Sequence, residues 1–204
     1  MNSSPAHDPT DAPGPSTDRV TYRVDAEGVI LDTGDGWDSF AEAGGAPHLL
    51  HDSVVGRRLD DFLGHATTRA IYRMLRERVR GTGRPVTFPY RCDAPGLRRW
   101  MTMEMQPQPD GGTLFRTWPD QVEERPPVPV TGGPASGDAA DGHLLLMCGW
   151  CKRVKEDQDS WWEIEDAMAR PPLVDALPLV WITHGMCLDC EARMQRILDE
   201  ELAG

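Results

Sequence analysis

The alternation of apolar and polar side chains predicts a β-sheet in the first half of the chain. Residues 21–25 alternate, and a glycine turn followed by an apolar run at 29–31 completes the pattern of a β-hairpin. Alternation returns at 85–92 and 99–105, where the apolar residues of each strand fall on one face. Residues 113–118 add a further segment of the same kind. The pattern therefore predicts five antiparallel strands.

A long helix is predicted between the second and third of these strands. Over residues 67–80 the apolar side chains recur every four residues, and a threonine can cap the first turn. Segments 36–41 and 55–63 predict shorter helices before it. The apolar stripe of the long helix consists of Ile71, Leu75 and Val79.

Composition divides the chain into four parts. Residues 1–18 contain hardly any apolar side chains, so burial cannot offset the entropy of ordering them, and we expect a disordered tail. Residues 119–142 are rich first in proline and then in glycine, serine and alanine, as is typical of a linker. The predicted domains are therefore 19–118 and 143–204.

Short elements are also predicted in the second domain. A Ser-x-x-Glu sequence at 160–163 has the form of a capping box and predicts the start of a helix. Residues 177–182 read as an extended segment. Residues 191–202 carry apolar side chains on one helical face and predict the last helix.

Four of the five cysteines form two Cys-x-x-Cys pairs, separated by residues 152–186. Each such turn brings two sulfurs together, and two turns supply the four soft thiolates that tetrahedral zinc prefers. We therefore predict one structural Zn²⁺. Its predicted ligands are Cys148, Cys151, Cys187 and Cys190.

The cysteine pairs leave other chemistry open. An iron–sulfur cluster or a thiol redox switch could use the same sulfurs. His184 could replace one sulfur as a ligand, or hydrogen-bond a thiolate from outside the ligand set. Four thiolates leave zinc no open position for a substrate, so we do not expect an enzyme.

The bulk composition narrows the class of protein and its partners. Hydrophobic residues make up 39% of the 204 residues and charged residues 26%, and no apolar run approaches the roughly 20 residues that span a bilayer. No signal peptide is evident, so we expect a cytoplasmic protein with reduced cysteines and no membrane partner. A net charge of -12 makes nucleic acid an unfavourable partner.

The order of elements over residues 20–118 resembles that of a PAS domain. The resemblance rests on the sequence Asp25-Ala-Glu-Gly-Val-Ile30, on residues 55–62, and on a long helix that runs into three antiparallel strands. It implies an α+β fold with a curved five-stranded sheet that binds a small ligand or a protein partner. It also implies a homodimer as one mode of assembly.

The inward face of the third and fourth predicted strands is the candidate ligand pocket. Alternating methionines on such a face also fit a plain core, and a cysteine there also fits a buried, inert thiol; we expect the core. A flavin photosensor is excluded, because its asparagine-cysteine motif is missing from a chain whose single asparagine is Asn2. The candidate pocket residues are Phe88, Tyr90, Cys92, Met101, Met103 and Met105.

Residues 148–154, the tryptophans at 161–162 and residues 183–190 resemble a bacterial C-terminal module that follows PAS and receiver domains. Cys190, at the start of the last predicted helix, also resembles the second half of a treble-clef zinc site. These resemblances imply a bacterial signalling or sensor protein with a zinc module as scaffold or docking surface. The alternatives are a transcription-associated zinc-binding regulator and a thiol redox sensor.

Overall fold

The computed structural model describes residues 19–94, 96–127, 143–155, 160–170 and 180–200. The predicted tail at 1–18 lies outside these residues, as does the predicted linker beyond residue 127.

An antiparallel five-stranded sheet forms the first half of the structure, which confirms the predicted α+β class. Its strand order is β2-β1-β5-β4-β3, the order of a PAS-like sheet. Inward side chains alternate with outward ones because successive residues of a strand point to opposite faces. The strands are β1 (Val20–Val24), β2 (Ile30–Thr33), β3 (Val86–Arg91), β4 (Leu97–Pro107) and β5 (Thr113–Glu124).

Helices connect β2 to β3 and cover one face of this sheet. The elements are α1 (Trp37–Ala43), α2 (His51–Val54) and α3 (Ala66–Thr82), with single 3-10 turns at Pro47–Leu49 and Leu59–Phe62. The predicted apolar stripe of α3 is buried and consists of Ile71, Leu75 and Val79. The cap was assigned to the wrong residue: the Nδ1 atom of His65 accepts the Thr67 N–H at 3.3 Å. The helix ends at Gly83, whose φ of 68° suits glycine.

β5 is longer than the sequence pattern predicts. It continues to Glu124, into the segment assigned to the linker from residue 119 onward, and pairs there with the first residues of β4. Most side chains in this extension are exposed, so no apolar alternation marks it. Backbone pairing forms the extension, and Arg125 N–H continues it by donating to Gly96 O at 3.0 Å.

A second, smaller sheet carries the cysteine pairs. Its order is β8-β7-β6-β9, and β6 and β9 are parallel. The predicted helix start at Ser160 is wrong, because Trp161–Trp162 form β8 and pair with β7, and the short helix after them has no side-chain cap. The elements are β6 (His143–Cys148), β7 (Val154–Lys155), β8 (Trp161–Trp162), α4 (Ile164–Met168), β9 (Val180–Gly185) and α5 (Leu188–Glu200).

The two halves share one hydrophobic core. Trp150 lies against Tyr72 of α3 and Phe88 of β3, with ring centroids 5.7 Å and 6.3 Å apart. Its carbonyl accepts the Arg91 N–H at 2.7 Å, so the contact is fixed through the backbone as well. Buried cysteines and apolar residues of α5 belong to the same cluster as α3 and β3. The predicted domains 19–118 and 143–204 are thus in direct, buried contact.

No helix within the described residues is both long and apolar enough to cross a membrane.

Candidate metal centre and adjacent cavity

Parallel pairing of β6 with β9 brings the two cysteine pairs together. In this pairing Cys148 lies opposite Gly185, so both strands end at the same edge of the small sheet. The chain after β6 turns through Cys151, and the chain after β9 reaches Cys187 and enters α5. Cys190 lies in the first turn of that helix, whose N-terminal dipole favours negative charge.

The four sulfurs form a compact cluster. Within the described residues, the Sγ atoms of the two pairs all lie within 4.8 Å of one another. The Cys151 and Cys187 sulfurs are 3.7 Å apart, and a tetrahedral zinc with Zn–S bonds of about 2.3 Å requires a separation of about 3.8 Å. Cys148, Cys187 and Cys190 are buried, and Cys151 is half-buried. The cluster can therefore hold a metal ion.

Backbone hydrogen bonds shape the first cysteine turn. Lys152 N–H donates to Cys148 O at 3.0 Å, and Cys148 N–H donates to Arg153 O at 2.8 Å. The turn requires a φ of 61° at Lys152, a conformation that costs energy for a residue with a Cβ. Cys187 N–H points at the Cys148 sulfur at 3.4 Å, which stabilises a thiolate there.

Arg153 supplies positive charge beside the sulfurs. Its Nε lies 3.4 Å from the Cys151 sulfur and one Nη lies 3.7 Å from the Cys187 sulfur. Asp189 holds the same guanidinium at 2.7 Å. Four thiolates around a divalent metal ion would carry a net charge of about -2, and this arginine would offset part of that charge.

The sulfurs also share protons unequally. Hydrogen bonds from Cys148, Cys190 and Arg153 lower the pKa of Cys151, whereas donation toward Cys148 and Cys151 raises the pKa of Cys190. Burial raises the pKa of Cys187 to about 11.

His184 lies beside the centre but outside the cluster. Among the described residues, the donor atoms grouped within 4.8 Å are those of the four cysteines. His184 lies on β9, three residues before the second cysteine pair begins at Cys187, and it lines a neighbouring cavity. Desolvation and the nearby Lys152 charge lower its pKa.

A cavity of about 640 Å³ lies between the large sheet and the cysteine segment, by which we mean the described residues of 143–155, 160–170 and 180–200. Three of the six predicted pocket residues, Tyr90, Cys92 and Met103, line it. Phe88 and Met105 pack instead into the shared core, and Met101 is fully buried away from the cavity. The predicted set was drawn from one face of two strands, but tertiary packing covers part of that face.

Several cavity residues were missed by the sequence prediction. Arg99 is the clearest, since strand alternation places it on the same face of β4 as Met101 and Met103. The alternation along the strand could therefore have predicted Arg99 as a cavity residue. No pattern could have indicated that Lys152 and Ile182 line the same cavity, because they come from the other half of the chain.

Comparisons with known proteins leave the family open. No family model matches the chain. An uncharacterized 104.1 kDa protein in the hypE 3' region of Rhodobacter capsulatus is 34% identical over 136 residues, which cover 58% of this chain and 14% of that protein. The chain thus spans about one seventh of the length of this relative.

Solved structures resemble the first half of the chain. The PAS domain of Bordetella pertussis BvgS is 20% identical with a TM-score of 0.40, over 52% of this chain and 79% of that one. A Vibrio cholera VqmA–ligand–DNA complex is 19% identical with a TM-score of 0.40, over 52% and 48%. The photoactive yellow protein domain of the Rhodospirillum centenum sensor histidine kinase Ppr is 15% identical with a TM-score of 0.36, over 49% and 90%. These scores carry no functional argument; the PAS-like description rests on the strand order.

Proposed function

We propose that this chain is a bacterial cytoplasmic signalling protein that senses a ligand or protein partner through its PAS-like sheet. Cys148, Cys151, Cys187 and Cys190 would hold one structural zinc. The metal would supply fixed geometry by joining the end of β6 to the start of α5. The protein would act by binding, with a homodimer as one form of assembly, and not as an enzyme.

The observation that carries this proposal is the four-sulfur cluster and its place in the shared core. Cys148, Cys187 and Cys190 belong to the same buried cluster as Phe88 and Leu75 of the PAS-like half. A metal there stabilises the surface that closes over the sheet. Four thiolates also fill the coordination of zinc, which suits a structural role better than a catalytic one.

The charges of the cysteine half favour a protein or small-molecule partner over nucleic acid. Asp189 and Glu191 lie on the exposed first turn of α5, beside the metal centre. A zinc module that contacts nucleic acid needs positive charge directed at phosphates. The transcription-associated alternative is therefore the weaker one.

Metal analysis of the full chain, purified without added zinc, tests the proposal. We expect one zinc per chain, and we expect Cys187→Ser to lose it because a three-sulfur site binds more weakly. Cys92→Ser is the matched control and should keep its zinc, since Cys92 lies outside the sulfur cluster. Iron in place of zinc would point to an iron–sulfur cluster. Wild-type protein without any metal, but with reversible disulfides, would favour the thiol sensor.

A further inference from the structure

The only carboxylate among the described residues that line the cavity between the sheet and the cysteine segment is already paired. This Asp93 carboxylate is engaged by Arg91 at 2.5 Å and by Arg125 at 3.4 Å. Arg125 in turn is paired with Glu165 at 2.5 Å. The cavity acid and this arginine are therefore neutralised by neighbours.

Two other cations line the cavity without such a neighbour. Within the described residues, no carboxylate oxygen lies within 4 Å of a side-chain nitrogen of Arg99 or Lys152. Asp93 reaches only the backbone of Arg99, where its Oδ1 accepts the N–H at 3.3 Å. Lys152 donates to Gly149 O at 3.2 Å. The phenols of Tyr72 and Tyr90 add no negative charge, because burial raises the pKa of both. The lining is therefore positive.

Arg99 is the more informative of the two cations, because it is only 6% exposed. Its Nε donates to Cys92 O at 2.6 Å, and its Nη2 lies 4.0 Å from the Cys92 sulfur. The face of the guanidinium lies 4.6 Å from the Phe40 ring centroid. Among the described residues, no oxygen accepts a hydrogen bond from Nη1 or Nη2 of Arg99, although a buried cation is normally paired. The Nη1–Nη2 edge matches a carboxylate, which accepts two parallel hydrogen bonds.

The remainder of the cavity favours a flat apolar body. Aromatic rings from β1, α1, α3 and β3 line it, and rings pack well against other rings in stacked or edge-on contacts. A volume of about 640 Å³ lies within the usual range of small-molecule sites. The rings are Tyr22, Trp37, Phe40, Tyr72 and Tyr90.

We propose that this cavity binds an aromatic carboxylate, whose ring lies among these side chains and whose carboxylate pairs with Arg99. The inference rests on the proposed sensing function and names its ligand class. Because Lys152 and Ile182 form part of the wall, the occupied cavity would join the two halves of the chain.

The test uses the 204-residue chain, after its metal content has been measured, and two probes of the same shape. Extraction of the purified protein under denaturing conditions first shows whether a compound is already bound. A bound aromatic carboxylate supports the proposal, and a bound neutral or cationic compound overturns it. Protein shown to be empty is then titrated calorimetrically with 2-naphthoate and with 2-naphthamide.

We expect 2-naphthoate to bind on the order of ten- to a hundredfold more tightly than the neutral amide, as a charge-assisted pair in a buried site predicts. Arg99→Gln should bring the two probes to within about threefold, and Arg99→Lys should give an intermediate preference. Arg116→Gln is the matched control, since Arg116 does not line the cavity and pairs with Glu104 at the surface. It should keep the wild-type preference.

Three outcomes of the titrations also overturn the inference: empty protein that binds neither probe, equal binding of both probes to the wild type, or equal loss of the preference in Arg99→Gln and Arg116→Gln. The comparison of the two probes on wild-type protein needs no variant, so misfolding of Arg99→Gln cannot obscure it. A zinc-containing protein that binds neither probe removes the ligand class alone and leaves partner sensing in place. A protein that lacks metal removes the zinc scaffold, whatever the probes do.

Discussion

Arg91 joins the large sheet to the cysteine segment, and its replacement is the sharpest test of that contact. The guanidinium is 6% exposed and bonds to Asp93 at 2.5 Å and to Glu163 at 2.6 Å. The perturbation is Arg91→Met, which keeps most of the apolar stem and removes the charge.

The expected loss of stability depends on which partners Asp93 and Glu163 keep once the Arg91 guanidinium is gone. Breaking a buried ion pair costs about 3 to 5 kcal/mol because a charge remains buried and unpaired. Here Asp93 keeps Arg125 at 3.4 Å, and Glu163, at 36% side-chain exposure, can turn to water. Both features reduce the penalty, so we expect a loss of about 2 to 3 kcal/mol. For a chain of this size that corresponds to a fall in Tm of roughly 4 to 12 °C.

Urea denaturation of zinc-loaded protein measures the loss. Arg116→Met is the control, since its pair with Glu104 at 3.4 Å is partly exposed and surface pairs contribute about 0 to 1 kcal/mol. Glu163→Gln should cost less than Arg91→Met because it leaves the Arg91–Asp93 pair intact. The reasoning is refuted if the free energy of unfolding of Arg91→Met lies within about 0.5 kcal/mol of the wild-type value. The contact of Arg91 between the two halves would then not exist as described.

Three further predictions concern packing, metal and pH. Met103→Trp should be nearly neutral because Met103 lines the cavity, whereas Met105→Trp should overpack the core and cost about 1 to 3 kcal/mol; equal losses in urea would contradict the cavity. Chelation of the metal should lower the unfolding temperature of the large sheet as well as that of the cysteine segment, because Trp150 lies in the shared core. If the chelator leaves the calorimetric unfolding temperature of the sheet unchanged, the two halves do not share a core. Burial raises the pKa of Glu165, but hydrogen bonds led by that from Arg125 outweigh it and leave the pKa at about 2, below its usual 4.5. The ionised Glu165 therefore stabilises the fold fully above about pH 4.5, and this stabilisation is lost as the pH falls toward 2. Urea denaturation across this pH range should show a smaller acid-induced loss of stability for Glu165→Gln than for the wild type.

Local signals predicted the large sheet well. Alternation and the four-residue stripe of α3 are properties of neighbouring residues, and the burial of Leu75 and Val79 follows them directly. The same kind of signal failed at residues 160–163, where the middle of a capping-box sequence forms β8. Pairing of Trp161–Trp162 with β7 outweighed the local preference for a helix.

The extended end of β5 shows a different limit. Residues 120–124 are exposed and three of the five are acidic, and they lead into a proline-rich stretch, so the sequence pattern assigned them to the linker. Their strand conformation comes from hydrogen bonds to β4, a partner that the local pattern does not encode.

The sequence by itself determined the residue types and spacings: five alternating strands, one long helix, and two cysteine pairs whose sulfurs suit a tetrahedral metal. Spacing suffices for each cysteine pair because two residues fix a turn. The number and spacing of the cysteines also predicted that the two pairs share one metal, but only the tertiary structure decided how they meet, through the parallel register of Cys148 with Gly185. It also decided that Arg99 and Lys152 line one cavity, because contacts between residues far apart in the chain depend on how whole elements pack, and no local period records that packing.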